Sequence, residues 1–459
     1  MLGQMGVISG TAVDTVIARR LQDGDPGGHV RRAIAAFPIR SAADAAIKRF
    51  FVEGGIPAGK PYRMLTMYQQ VVPLERDQFT MLSAFVEVWL AKEGHSGLVG
   101  MNLLTKIQLP NLALLYGAIL ADVDYILMGA GIPREIPKAL DQLAMHAPAR
   151  LRLDVEDLAA DRVEYIEFDP QRHWNGDAPP VKRPRFLPII ASNSLATLMV
   201  RKAEGAVDGF VIEGPTAGGH NAPPRGGGDL NERGEPVYGP RDEVDLAKIA
   251  EHGLPFWIAG GAGWPDRLRL ALASGAAGIQ VGTLFAFCDE SGIEESLRRS
   301  VVDSASRGEI EVRTDAKASP TGYPFKVVTW AADPAEGVPR KRVCDLGYLR
   351  NAYQRPDGKI GYRCSSEPED QFVDKGGAAC ETEGRKCLCN SLLATIGHPQ
   401  RREEGAVEPP LVTSGDDLKQ LGTFLGGRLR YSAADVLAYL LAGVPERRDE
   451  LTPARELPL

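Results

Sequence analysis

Over its first two thirds the chain alternates short apolar runs with longer amphipathic stretches. Residues 98–104, 124–128, 186–191, 209–213, 255–259 and 278–281 are brief, nearly continuous apolar runs. Between them, 110–121, 134–144, 194–204, 246–252 and 266–274 carry apolar residues at helical spacing. Pro110 opens the first of these helices, in the turn where its missing N–H costs nothing. Strands that are apolar on both faces and alternate with helices predict a parallel sheet covered on both sides.

Such a sheet is either a closed barrel or an open, doubly wound sheet. No Gly-x-Gly-x-x-Gly follows an early strand, which weakens the open dinucleotide-binding arrangement. Glycine-rich and polar positions instead follow several different strands, as on the C-terminal face of a barrel. The predicted fold is α/β, a (β/α)8 TIM barrel over residues 1–330. Past Trp330 the periodicity weakens, and five of the six cysteines fall between Cys344 and Cys389. A helical pattern returns over 416–441, and the final residues are expected to fray. Residues 331–459 are thus read as a C-terminal cysteine-containing extension. The Gly/Pro-rich, charged loop 221–245 is long enough to serve as an active-site flap.

Composition narrows the field. Of 459 residues, 44% are hydrophobic and 25% charged, ordinary for a globular protein, and 459 exceeds the usual size of a single core. A net charge of −7 gives no basic excess for a nucleic-acid partner. No apolar run approaches the roughly 20 residues needed to cross a bilayer. The start, Met1 to Gly10, has no basic segment ahead of its apolar residues, so no signal peptide is expected. A cytoplasmic location follows as the default, and a homo-oligomer is left open.

Two constellations carry chemistry. In the first, strand 256–259 runs into Gly260-Gly261-Ala262-Gly263, and strand 278–281 ends at Gly282-Thr283. Two successive strand ends with glycine expose backbone N–H groups without a Cβ in the way. Barrels bind a ligand's phosphate at this place, with helix N-termini adding a favourable dipole. In the second, strand 209–213 ends in Gly214-Pro215-Thr216-Ala217-Gly218-Gly219-His220. Small residues there let a flat ring lie against the backbone, and His220 would project over it. An imidazole with an ordinary pKa near 6.5 suits proton abstraction or a hydrogen bond to a developing anion. A lone loop histidine is more often idle; the strand end and glycines favour function here. His29, His95 and His398 lack that context.

The block Glu213 to His220, with Gly260-Gly261 and Gly282-Thr283 downstream, resembles the nitronate monooxygenase (2-nitropropane dioxygenase) family. Gly100-Met101-Asn102-Leu103 is similar to the family's third-strand motif. The resemblance covers roughly residues 95–290 and implies an FMN-binding TIM barrel. It implies His220 as catalytic base or substrate-orienting group, and Gly260, Gly261, Gly282 and Thr283 around the FMN phosphate. Gly218, Gly219 and Asn102 would then lie against the flavin. The implied reaction oxidises a nitronate or similar carbanion-like small substrate with dioxygen. Flavin-dependent enoyl-ACP reductases, which use NAD(P)H, share the Gly-Gly-His turn, so the motif implies cofactor more sharply than substrate. A non-catalytic flavin-binding or scaffold subunit is the remaining alternative. The segment with Asp14, Arg19-Arg20 and Asp25 to His29, the flap and the extension all depart from the family pattern.

Cys344, Cys364, Cys380, Cys387 and Cys389 are interleaved with glycine and charge. Thiols crowded into an irregular segment suggest a metal site rather than disulfides. Cys344, Cys364, Cys387 and Cys389 are the candidate ligands of zinc or an iron–sulfur cluster, although no pair of Cys-x-x-Cys is present. The alternative is a set of free cysteines in a packed extension. Cys288 is expected in the core.

Overall fold

The computed structural model describes residues 4–338, 340–402 and 405–442. The end expected to fray lies past 442, outside the described residues. Seven parallel strands form one sheet, in chain order: Met5–Ser9, Leu98–Leu104, Tyr125–Gly129, Arg185–Ile190, Phe210–Glu213, Phe256–Ala259 and Gly278–Gln280. Every strand therefore neighbours the strand before it in the sheet. This is the order of a barrel and not of a doubly wound sheet, which reverses direction at a switch point. The expected α/β barrel class holds, with seven strands in the ladder rather than eight. Among the described residues the first and last strands do not pair.

Side-chain alternation explains why the sheet curls. Ile126, Phe186, Phe210 and Phe256 are fully buried toward the helices, at about 1.5–3 kcal/mol each for the area removed from water. Their chain neighbours Leu127, Leu187 and Val211, with Ala259, form a separate apolar cluster on the opposite face. The ladder register aligns the C-terminal strand ends into a rim: Ser9 pairs with Asn102, Leu104 with Gly129, Ile190 with Ile212, and Glu213 with Ala259.

Several elements lie outside the apolar runs described above. Met5–Ser9 is an edge strand with little burial, so its pattern is faint. Ala149–Leu153 pairs antiparallel with Glu164–Phe168, between the third and fourth parallel strands in sequence. Its Ala-Arg-Leu-Arg-Leu alternation puts the apolar side in the interior and the arginines in solvent, a signal visible in the sequence. Helices Val13–Gln22, His29–Ala36, Arg40–Phe50 and Leu74–Lys92 fill the connection between the first two parallel strands.

Residues past 330 share cores with the barrel. Leu418, Leu421, Phe424 and Val436 pack with Leu284, Phe287, Val301 and Val302. Asn351–Gln354 pairs parallel with Val155–Glu156 and antiparallel with Ile360–Arg363. Tyr348 reaches the buried Asp14, which also takes hydrogen bonds from Tyr68 Oη at 2.7 Å and Arg76 Nη2 at 2.5 Å. Burial alone would raise the Asp14 pKa, but the Arg76 charge and the two tyrosine hydroxyls outweigh it and hold the carboxyl below its usual range.

That pair generates a test. Arg76→Met leaves a buried carboxylate without its cation and should lower the unfolding free energy in urea at pH 7 by about 3–5 kcal/mol. Because the folded Asp14 pKa is depressed, its stabilisation is present above about pH 3.9 and disappears as pH falls through the lower folded value. A loss under about 1 kcal/mol would mean that the pair holds nothing in place.

Candidate functional site

His220 sits just past the rim, after strand Phe210–Glu213. Gly219 takes φ +78°, in the left-handed region. The chain then runs antiparallel to a segment of the molecule about a hundred residues later. Lys326 N donates to Gly219 O at 2.9 Å, Asn221 N donates to Pro324 O at 2.9 Å, and His220 bridges Phe325. The Phe325 ring meets the imidazole edge-on at 4.8 Å between centroids. His220 Nε2 lies 2.7 Å from Ser319 Oγ. Burial pushes the His220 pKa down to about 4, so the ring is neutral at pH 7 and able to accept a proton.

His220 faces a cleft of about 250 Å³ that opens to solvent and is lined also by Gly131, Glu213, Asn221, Tyr238 and Tyr323. The segment 221–245 contributes Ala222, Pro223, Arg225, Tyr238 and Asp242 to its wall, tied by Arg225 N to Asp242 Oδ1 at 2.8 Å and Tyr238 Oη to Ala222 O at 3.0 Å. Burial pushes the Glu213 carboxyl up to about 7, offset only in part by its hydrogen bond with Asn221. The cleft thus holds an imidazole that stays neutral and a carboxyl that is half protonated near neutrality.

The glycine turns meet beside this cleft. Gly260 and Gly261 have φ of +85° and +63°. A Cβ on Gly261 would come 3.1 Å from Thr216 Oγ1. Among the described residues, the N–H groups of Gly261 and Gly282 donate to no acceptor. Residues 413–417 of the extension lie against the same turns. Gly219 N donates to Thr413 Oγ1 at 3.0 Å, Gly415 N to Thr283 Oγ1 at 3.1 Å, and Gly263 N to Asp417 Oδ2 at 3.0 Å. A Cβ on Gly218 would strike Gly415 N at 2.7 Å. The structure therefore brings Gly218, Gly219, Gly260, Gly261 and Thr283 together, around a strap that no sequence pattern foretells. Asn102 sits in the ladder between Ser9 and Leu127, away from the His220 cleft wall, with Oδ1 buried and unpartnered.

Sequence reasoning also misses Ser319 and the role open to Glu213. Nothing local marks Ser319, which is 99 residues from its partner. Glu213 carries a signal: an acid at the end of an apolar strand.

Cys344, Cys364, Cys387 and Cys389 line a single cavity, while Cys380 is exposed and Cys288 lies in the core as expected. Burial, together with the neighbouring cysteines, pushes the Cys344 thiol up to about 11 and the Cys364 thiol up to about 12. Among the described residues, no three His, Cys, Asp or Glu side chains are set to hold a single metal ion, so the zinc expectation finds no site. No helix among them is long and apolar enough to cross a membrane.

Residues 156–323 match the family model for nitronate monooxygenase. That stretch contains Glu213, the glycine turns, His220 and Ser319, so the resemblance read from the Ala-Gly-Gly-His turn holds there. A nitronate monooxygenase of Pseudomonas aeruginosa is 33% identical over 138 residues, covering 30% of this chain and 37% of that protein. One from Paraburkholderia phytofirmans is 32% identical over 174 residues, covering 34% and 42%. The chain thus spans less than half the length of the curated relatives it matches. Among solved structures, FabK from Thermotoga maritima aligns over 78% of this chain and 79% of its own, at 18% identity and a TM-score of 0.42. The barrel assignment rests on the chain's own strand order.

The His220 pKa yields an expected outcome. Its folded value, about 4, lies below the ordinary 6.5, so His220 costs nothing above pH 6.5 and destabilises progressively as pH falls toward 4. In His220→Gln, the decline of unfolding free energy between pH 6.5 and 4.5 should be shallower than in the parent. Equal slopes would show that the imidazole is not held in its neutral form.

Proposed function

We propose that this chain is an FMN-dependent oxidoreductase of the nitronate monooxygenase type, acting on a nitronate or similar carbanion-like small molecule with dioxygen. The observation that carries the reading is the half-buried, neutral His220 at a strand end, flanked by the glycine turns and open to a cleft. The residues fit the cofactor: Gly282 leaves open space where a Cβ would stand, Gly261 and Gly282 offer free N–H donors for a phosphate, and Asn102 Oδ1 is an unpartnered acceptor for a ring N–H. FMN, when bound, supplies the two-electron chemistry and its reoxidation by dioxygen.

The chain's own residues do the rest. His220 takes a proton from the carbon beside a nitro group, or hydrogen-bonds the anion that results. The Ser319 hydroxyl holds Nε2 and so sets the ring's angle. Glu213, poised near neutrality, can carry a proton across the cleft floor. In this reading the barrel spans 1–330, the flap 221–245 closes over a small-molecule substrate, and the extension braces the phosphate end. A cytoplasmic setting, where thiols stay reduced, suits the free cysteines.

Purified protein should be yellow and release FMN on denaturation. Gly261→Asp should lose the flavin, since it puts a carboxylate beside the phosphate's N–H donors and its Cβ is strained at φ +63° and close to Thr216 Oγ1. A colourless parent, or flavin retained by Gly261→Asp, would sink the site as drawn.

His220→Asn should keep its flavin. Turnover of a neutral nitroalkane should fall by roughly 10²–10⁴, the usual worth of a general base, while a preformed nitronate suffers less. Equal losses would make His220 an orienting group and not the base. Turnover that requires NADPH and an enoyl thioester would move the assignment to a reductase.

A further inference from the structure

Three chain segments meet at a cavity lined by Cys344, Cys364, Cys387 and Cys389. Cys344 precedes strand Asn351–Gln354, and Cys364 follows strand Ile360–Arg363. Cys387 caps helix Leu388–Thr395, and Cys389 lies in its first turn. The two remaining cysteines, Cys288 in the core and Cys380 on the surface, take no part. We infer that these four thiols ligate an iron–sulfur cluster.

Three observations separate this from other uses of cysteine. The thiols are all free, so they do not serve as disulfides. Nor do they converge tightly enough for one ion. A tetrahedral ion with bonds near 2.3 Å needs its sulfurs drawn to a point. An iron–sulfur cluster spreads its thiolates over several irons and needs them around a larger body. Four sulfurs walling one cavity, with no three-residue site for a single ion among the described residues, match the second case.

Polar and charged groups of both signs face the sulfurs, Arg350 and Asp345 among them. Asn390 Nδ2 points at Cys387 Sγ from 3.6 Å. Such N–H donors to sulfur are the outer contacts that stabilise and tune a cluster. The positive end of helix Leu388–Thr395 starts at Cys387, and Arg350 stands in the cavity wall. Leu346, Leu349 and Leu388 keep the other sides apolar. When a preassembled cluster is transferred to the chain, each thiol gives its proton to solvent and replaces a ligand of the donor as thiolate, so no atom changes oxidation state.

The position matters. Pro320 lines the cysteine cavity, and its chain neighbour Ser319 holds His220 Nε2. Arg385 Nη1 donates to Ser319 O at 2.5 Å and Lys386 N to Ala318 O at 2.9 Å, so the segment before Cys387 grips the same stretch. One short segment, 318–320, is the partition between the cluster and the His220 cleft.

The test is metal analysis of the full chain, purified without oxygen, for iron, zinc and acid-labile sulfide. Iron and sulfide should be present in equal amounts, about two or about four of each per chain. Cys387→Ser and Cys389→Ser should each reduce both to background, whereas Cys380→Ser should retain them. Zinc without sulfide, iron without sulfide, or a metal-free parent would each overturn the inference. So would undiminished iron and sulfide in the two serine variants. Because the parent protein is decisive on its own, a variant that fails to fold leaves the result standing.

Discussion

The antiparallel contact between residues 219–221 and 324–326 is the constraint on which the rest of the site depends. Two backbone hydrogen bonds of 2.9 Å clamp the turn that carries His220 onto the strand Phe325–Trp330. A glycine-rich turn has high conformational entropy, and left alone it would not hold an imidazole at a fixed angle. The clamp supplies that order from outside the seven-stranded sheet. It also places Ser319 against Nε2 and Phe325 against the ring face, so the same few residues orient His220 and exclude water from it.

The extension packs against the same turns and is not a separate appendage in space. It contributes the strap 413–417 over the glycine turns, the apolar packing behind Leu284 and Phe287, and Tyr348 on the buried Asp14. Each of these contacts crosses more than a hundred residues of sequence. Each also satisfies a polar group or apolar surface that the barrel alone would leave exposed or unpaired.

Burial sets the electrostatics. His220 is pushed toward its neutral form and Glu213 toward a neutral carboxyl by the same loss of water, with opposite consequences for charge. Asp14 is more deeply buried and yet stays ionised, because Arg76 and two hydroxyls replace its solvent. The contrast separates a group that holds the fold together from groups free to exchange a proton.

Much of the barrel and part of its site are legible in the amino-acid sequence. The apolar runs locate six of the seven parallel strands, since a strand buried on both faces must be apolar on both. The glycine pairs mark turns that only glycine enters, and the Gly-Gly-His turn points to the histidine. The weakly buried edge strand Met5–Ser9 escapes that criterion, and so does the inserted hairpin at Ala149–Leu153, which is apolar on one side alone. What the sequence by itself determined is local: period, turn chemistry, and which residue types sit at strand ends. Only the tertiary structure decided that Ser319 meets His220, that residues 413–417 cross the glycine turns, and that four scattered cysteines share one cavity. Periodicity reports the environment of a residue a few positions along the chain, whereas the first two of these contacts join segments about a hundred residues apart or more, and the third gathers four points of an irregular stretch. No local pattern encodes the register in which such segments pack.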